Sequence, residues 1–520
     1  MVRATRPVMK RYLVQTFGCQ MNVHDSRRIE EVLASEGYER TDDSQLADLI
    51  VVNTCSVREK AEHKLLSLLG TMRPLKEERP GVVVAVAGCV AQQEGARLLT
   101  RAPHVDIVLG PDNISELPGL VRHVEREKTA IARTVFDVHD PRFLDAGPEL
   151  SRRDREVSSF VTVMKGCDER CTFCIVPYTR GPERYRSSAE VVREIEGLVA
   201  GGVREVTLLG QTVNSWHEPG TASADGSGDG ESPSGESPSG ESPSGESPSG
   251  ESQFARLLRD VARAVPGLVR LRYTSPHPRH VTDELVRAHA ELDVLPAHVH
   301  LPVQSGSNRV LKRMLRRYTR EHYVARARAL RSARPLFTLS TDFIVGFPGE
   351  TEAEFEETLS LVDEVGFSAA FCFKYSPRPY TPALKLADDV PEEVKDERLA
   401  RLFAAIERSQ RAHLDALVGR TATVLIEDLG REGDDGLARW KGRSERHEIV
   451  HVEAPPELDL RGALVRVEIV RANAHSLMAR PAQPLEGLPR REASPFAQVA
   501  PAASQPADGR RRLPVTRASG

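Results

Sequence analysis

Four short, nearly unbroken apolar runs are separated by stretches of helical period: YLVQTF at 12–17, LIVVN at 49–53, VVVAVA at 82–87 and VDIVL at 105–109. Strands apolar on both sides must be covered on both sides, and a helix between successive strands makes them parallel. These runs therefore predict a parallel-sheet α/β domain over 10–125. The alternation resumes at Phe160 and continues through VTLLGQ, LVRLRYTS, HVHLPVQSG, FTLSTDFIVGFPG and AAFCFKYS. Six such units predict a complete or partial β/α barrel over 155–400, whose active site belongs at the carboxyl ends of its strands. After a charged helical stretch at 392–417, TATVLIEDL, HEIVHVEA and ALVRVEIVRA alternate apolar and polar residues. That pattern predicts a small all-β barrel over 417–482.

Composition acts here mainly by exclusion. A chain of 520 residues is too long for one core, and a net charge of -4 gives no global attraction to a polyanion, so any nucleic-acid contact must be local. No long apolar segment opens the chain or interrupts it, which predicts a cytoplasmic protein with no membrane partner. In that compartment its seven cysteines should be thiols rather than a disulfide framework. Four consecutive GESPS units from Gly230 cannot bury enough apolar surface to fold, so 220–252 reads as a flexible insertion. The Pro/Ala/Arg-rich tail, 485–520, reads likewise.

The cysteines fall into two trios. GCDERCTFC, just after a predicted strand, places Cys167, Cys171 and Cys174 in one loop. Three thiolates on an iron-sulfur cubane leave one iron open to a substrate or cofactor. A zinc site usually has a fourth Cys or His near by and paired CxxC spacing, which this loop lacks. Cys19, Cys55 and Cys89 are far apart in sequence, yet each follows a predicted strand by one or two residues, in FGCQMN, NTCSVREKAE and AGCVAQQ. The carboxyl ends of parallel strands share one edge, where ligands of open α/β sheets collect, so these thiols can converge on a second cluster. Cys372, inside AAFCFKY, reads as core packing.

The spacing CxxxCxxC, with Phe173 before its last cysteine and a barrel strand before its first, resembles the radical S-adenosylmethionine (SAM) superfamily. The resemblance implies that SAM chelates the open iron and is cleaved reductively to a 5′-deoxyadenosyl radical. Later strand ends offer SAM contacts at Gln304, Ser305, Gly346, Gly349 and Glu350. The two trios together, with a carboxyl-terminal barrel that resembles the RNA-binding TRAM module, resemble the methylthiotransferase family over nearly all of 10–482. GCQMN, NTCSVREKAE, PYTRGPE, LLGQTVNSW and HLPVQSGSNRVLKRMLRRYT are most similar to its members that act on isopentenylated adenosine.

That resemblance implies two 4Fe-4S clusters and a tRNA substrate. The N6-dimethylallyladenosine at position 37, in the anticodon loop, exchanges its C2 hydrogen for a methylthio group. An aromatic C2–H has no useful acidity, so a radical does what a base cannot. The resemblance also implies an electron donor such as flavodoxin or ferredoxin and a sulfur source, and the chain is expected to act as a monomer. Relatives with the same chemistry use a threonylcarbamoyl-adenosine or a ribosomal-protein aspartate. An alternative of another class, a nonenzymatic iron-sulfur RNA-binding or redox-sensing protein, is disfavoured by CxxxCxxC together with glycine-rich strand ends. Ten Lys/Arg against one acid over 309–334 mark the expected phosphate-contacting stretch, including Lys312, Arg313, Arg316 and Arg317.

Overall fold

The computed structural model describes residues 9–56, 59–136, 156–220, 252–432 and 436–489. The GESPS units and the tail beyond 489 lie outside the described residues. Six strands, β1 (Arg11–Phe17), β2 (Glu39–Arg40), β3 (Leu49–Thr54), β4 (Val83–Gly88), β5 (Ile107–Leu109) and β6 (Ile131–Arg133), form one parallel sheet in the order β2-β1-β3-β4-β5-β6. Every residue of β3 and β4 is buried. Leu49 and Val51 enter one apolar cluster while Ile50 and Val52 enter another, so the continuous apolar run marks a strand packed on both faces. The sheet extends to Arg133, past the expected limit near 125, because β2 and β6 are edge strands too short to carry a hydrophobic pattern.

The second unit contains β7 (Ser158–Thr162), β8 (Met164–Lys165), β9 (Arg184–Tyr185), β10 (Glu205–Leu209), β11 (Arg270–Tyr273), β12 (His298–His300), β13 (Thr338–Val345) and β14 (Ala369–Lys374). Strands β7, β10 and β11 form one parallel sheet, β12, β13 and β14 another, and β8 pairs with β9 as a small antiparallel ribbon. Both parallel sheets share one core that takes in Val161, Leu208, Leu271, Val299, Leu339 and Cys372. The six expected βα units thus make a partial barrel whose hydrogen-bond ladder breaks between β11 and β12. Several of the helices around it start where a side chain satisfies an orphan N–H group, at Ser187, Ser252, Thr282, Thr319 and Thr351. At Glu352–Val365, Thr351 and Glu354 form a reciprocal capping box.

Strands β15 (Thr421–Glu432), β16 (Ala438–Ser444), β17 (Ile449–Ala454), β18 (Leu464–Ala472) and β19 (Leu477–Pro481) close into a barrel in the order β15-β16-β17-β19-β18. Its interior holds Val424, Ile426, Trp440, Val450, Val452, Val467 and Ile469. The small barrel docks against the amino ends of the large one's strands. Arg270, the first residue of β11, donates to Arg443 O and Thr423 O, both at 2.7 Å. Thr338, the first of β13, donates to Arg446 O at 3.0 Å, and the rings of His298 and His447 stack 4.8 Å apart.

Candidate active site

The amino-terminal sheet sets up the first thiol group. In its register Phe17 faces Thr54, and Thr54 faces Gly88. Cys19, Cys55 and Cys89 therefore leave three adjacent strands at the same level of one edge. Gly18, at φ +138°, lets the chain turn there, and a Cβ on it would fall 2.5 Å from Cys55 Cβ. Behind the edge, Asn22 Nδ2 donates to Asn53 Oδ1 at 3.1 Å, and Asn53 Nδ2 donates to Ser26 Oγ at 2.9 Å. A hydrogen bond with the Cys55 thiol holds the Cys19 thiol down to about 6, with Arg180 adding to it, whereas burial raises Cys89. Among the described residues all seven cysteines are free thiols.

The loop of Cys167, Cys171 and Cys174 lies at the carboxyl end of the partial barrel and is tied down from three sides. Cys167 Sγ lies 3.1 Å from Thr212 Oγ1, in the segment after β10. Arg316 Nη1 donates to Cys171 Sγ at 3.4 Å, and its other nitrogens bond Pro302 O and the Tyr318 hydroxyl. Glu169, between the cysteines, accepts from His280 Nε2 at 2.8 Å and lies 3.8 Å from His277 Nε2, which anchors the loop to the segment beyond β11. Burial pushes the Cys167 thiol up strongly and Cys174 to about 12, with a neighbouring cysteine of the trio adding to each rise. Buried thiols of this kind ionise when they coordinate a metal, so donor type, convergence and the absence of a disulfide all fit an iron-sulfur cluster in each trio.

Buried ion pairs join the two sites. Arg180 follows Cys174 by six residues, and its Nη2 donates to Asp25 Oδ2 at 2.6 Å across the domain boundary. The helix that ends in Arg180, Val176–Arg180, packs on the helix that Cys89 opens, Cys89–Glu94. Despite burial, Arg180 holds the Asp25 carboxyl down to about 2. Glu194 receives both Arg28 and Arg186, and Arg184 Nη1 reaches Asp112 Oδ2 at 2.5 Å. Sequence reasoning singled out none of these groups. PYTRGPE contains Arg180, but a guanidinium in a polar motif looks the same whether solvated or buried.

The remaining expected contacts divide. Phe173 is half-buried against Val310, Met314 and Phe347, and Gln304, at φ +76°, bridges to Phe343 of β13. Ser305 is fully buried and interacts with Thr358 and the backbone of Ser307. Glu350 is buried as well, accepting from Gly346 N at 2.7 Å and from Arg398, and burial raises its carboxyl to about 7. At Gly346 the space of a side chain is taken by Lys395, and Gly349 donates its N–H to Asp389 Oδ1 at 2.6 Å. These two glycines serve a turn.

The basic stretch is not a single solvated face. Arg309 pairs with Glu354, Arg320 and Arg328 with Glu364, and Arg326 with Asp283, while Arg331 and Arg334 bond backbone carbonyls. Arg316, expected among the phosphate contacts, is buried against Cys171 because its stem enters the core beside Tyr318. Arg313 is half-buried beside Gly349, and Lys312 and Arg317 are exposed.

Residues 161–362 match the model of the radical SAM superfamily, and residues 11–110 match that of uncharacterized protein family UPF0004. Fold and thiol loop therefore define the class, a radical SAM enzyme, which brings SAM and a 4Fe-4S cluster with it. Over 520 residues, 98% of this chain and 100% of the relative, the sequence is 57% identical to tRNA-2-methylthio-N(6)-dimethylallyladenosine synthase of Sorangium cellulosum (strain So ce56). The chain belongs to that family of radical SAM methylthiotransferases. Among solved structures, the radical SAM methyltransferase TsrM from Kitasatospora setae aligns over 72% of this chain and 77% of its own, with a TM-score of 0.49 at 16% identity. The cobalamin-dependent radical SAM enzyme OxsB aligns over 77% and 56%, with a TM-score of 0.47 at 14% identity.

Proposed function

We propose that this chain methylthiolates C2 of N6-dimethylallyladenosine at position 37 of tRNA. The observation that carries the reading is the juxtaposition of two cysteine trios, one on the edge of the parallel sheet and one on the barrel loop, bridged by Arg180. Cys167, Cys171 and Cys174 hold the cluster that binds SAM, and Cys19, Cys55 and Cys89 hold a second 4Fe-4S cluster. When bound, these groups supply the radical and present the sulfur. The protein's own work is to fix their separation, exclude water and hold charge. Phe173, Gln304 and the turn of Gly346 and Gly349 border SAM, while Glu350 supports that turn from behind and Ser305 ties the segment after Gln304 to Thr358. Arg316 places a positive charge on Cys171 without titrating.

On this reading 10–125 with its β6 extension is the sulfur-carrying domain, 155–400 the radical SAM core and 417–482 an RNA-binding TRAM-like barrel. Lys312 and Arg317 contact phosphate, and Arg313 lines the same rim. The partners are the anticodon loop of tRNA, a flavodoxin- or ferredoxin-like electron donor and a sulfur source. The enzyme works as a cytoplasmic monomer. Among the described residues no helix is long and apolar enough to cross a membrane.

The test is anaerobic reconstitution with iron and sulfide, incubation with SAM, dithionite and prenylated tRNA, and mass spectrometry of the nucleosides. The 2-methylthio nucleoside should form, and Cys167→Ala should abolish it together with SAM cleavage. Cys55→Ala should abolish the product while SAM cleavage persists. SAM cleavage by the unaltered protein with the prenylated tRNA left unmodified would remove the substrate assignment.

A further inference from the structure

Beside the two thiol groups lies a cavity of about 260 Å³ lined by Gln92, Gln93, Tyr178, Thr179 and Tyr380. Its walls begin just beyond the thiols. Gln92 and Gln93 stand in the helix opened by Cys89, roughly 5 Å along its axis from that residue. Tyr178 and Thr179 stand in Val176–Arg180, the helix after Cys174. Tyr380 comes from the segment that follows β14. The first two walls are thus each fixed at one end to a cluster loop.

The lining carries no charged side chain, only two aromatic rings, two amides and a hydroxyl. Tyr178 and Tyr380 are 44% and 53% exposed, which is unusual for rings placed side by side at the mouth of a buried site. Their centroids lie 6.1 Å apart with the planes inclined at 36°, so they form one slanted wall instead of a closed stack. Tyr380 holds φ +67°, a left-handed backbone that a bulky residue seldom adopts. Its hydroxyl accepts from Arg97 Nη2 at 2.8 Å, and the same nitrogen donates to Gln93 O at 3.1 Å. Arg97 is thereby committed to bracing the wall, and the aromatic face is kept outward at the cost of backbone strain.

We infer that this cavity seats the target nucleobase, a purine swung out of the RNA stack with its face on Tyr178 and Tyr380 and its polar edge toward Gln92 and Gln93. The inference rests on the tRNA-modifying reading above and deepens it. Splayed-out bases are characteristically held by aromatic stacking and read by amide groups, and an N6-alkyl substituent extends the apolar surface that the two rings can cover. An aspartate side chain would need a cation in the lining, and the lining supplies none. The geometry therefore favours a base over a carboxylate.

The experiment measures equilibrium binding of an anticodon stem-loop RNA, with and without the N6-prenyl group, to the reconstituted full chain by fluorescence anisotropy without reductant. Tyr178→Ala and Tyr380→Ala should each weaken binding of the prenylated RNA about 5- to 100-fold, and Tyr178→Phe should restore it to within about threefold. If an alanine variant loses iron, Tyr380→Leu, which keeps bulk without a π face, must show the same loss. Alanine variants of normal iron content that bind prenylated RNA as the unaltered protein does overturn the cavity assignment alone. Failure of the unaltered protein to bind or modify that RNA overturns both the assignment and the reading beneath it.

Discussion

At the residue scale the buried charges stand out, because a charge sequestered from water must be compensated where it lies. Arg180 is compensated by Asp25, with the thiols of Cys19 and Cys89 near enough to feel it. Replacing one partner leaves the other buried and unpaired, so Arg180→Met should lower unfolding stability by ~3–5 kcal/mol. It should also reduce iron retention by the Cys19, Cys55 and Cys89 group more than by the other, as chemical iron assay and electron paramagnetic resonance would show. Arg180→Met combined with Asp25→Leu should regain part of the stability and none of the iron. His24 makes a second residue-scale case. Its ring is buried among Arg28, Asp25, Glu194 and Thr162, and burial together with Arg28 depresses it from 6.5 to about 4. The unfolded chain therefore binds a proton that the folded chain refuses. The stability so contributed is complete above pH 6.5 and is lost as the pH falls through 4, to a total of ~3 kcal/mol. Urea midpoints should drop between pH 7 and pH 4.5, and less steeply in His24→Gln.

At the scale of elements, the strand end is the unit that carries chemistry. The Gly18–Cys19 turn depends on a conformation and a clearance that only glycine has, so Gly18→Ala should displace Cys55. Iron content should then fall by up to half while reductive SAM cleavage at the other trio remains, and cleavage lost together with all iron would show that the two loops do not assemble independently. This scale was also the most legible in the amino-acid pattern. The buried strands β1, β3, β4 and β5 could be read because strands covered on both faces are written as unbroken apolar runs, and the position of each cysteine just past a run followed from parallel topology. β2, β6, β16 and β19 could not be read in that way, being short, polar or at an edge. Nor could the fates of the arginines. Lys312, Arg316 and Arg317 have the same sequence context, and only the docking of the segment after Asn308–Arg313 on Tyr318 and Cys171 separates a buried guanidinium from exposed cations. Ser305 and Glu350 pose the same difficulty, since a polar residue in a motif can face a ligand or hold the segment that faces it.

At the scale of the whole molecule, exposed cations are to be separated from buried ones by salt. The logarithm of tRNA affinity should fall less steeply with the logarithm of salt concentration, by about one unit of slope each, in Lys312→Ala and Arg317→Ala. Arg316→Met should leave that slope alone and instead lower iron content, and an unchanged slope in all three would place the RNA elsewhere. The docking of the small barrel bears on where the RNA lies. Its contacts are to the first residues of β11 and β13, whereas the Cys167, Cys171 and Cys174 loop stands at the opposite, carboxyl end of the barrel, with the other trio joined to it through Arg180 and Asp25. The eight residues of β13 alone span roughly 26 Å. On the proposed reading, an RNA gripped by the small barrel and reacting at the thiols would have to span a distance of that order, and the enzyme would act as a caliper. On that reading one jaw would close on a part of the tRNA remote from the reacting nucleotide, and the barrel between the jaws would convert the length of the tRNA into a choice of nucleotide.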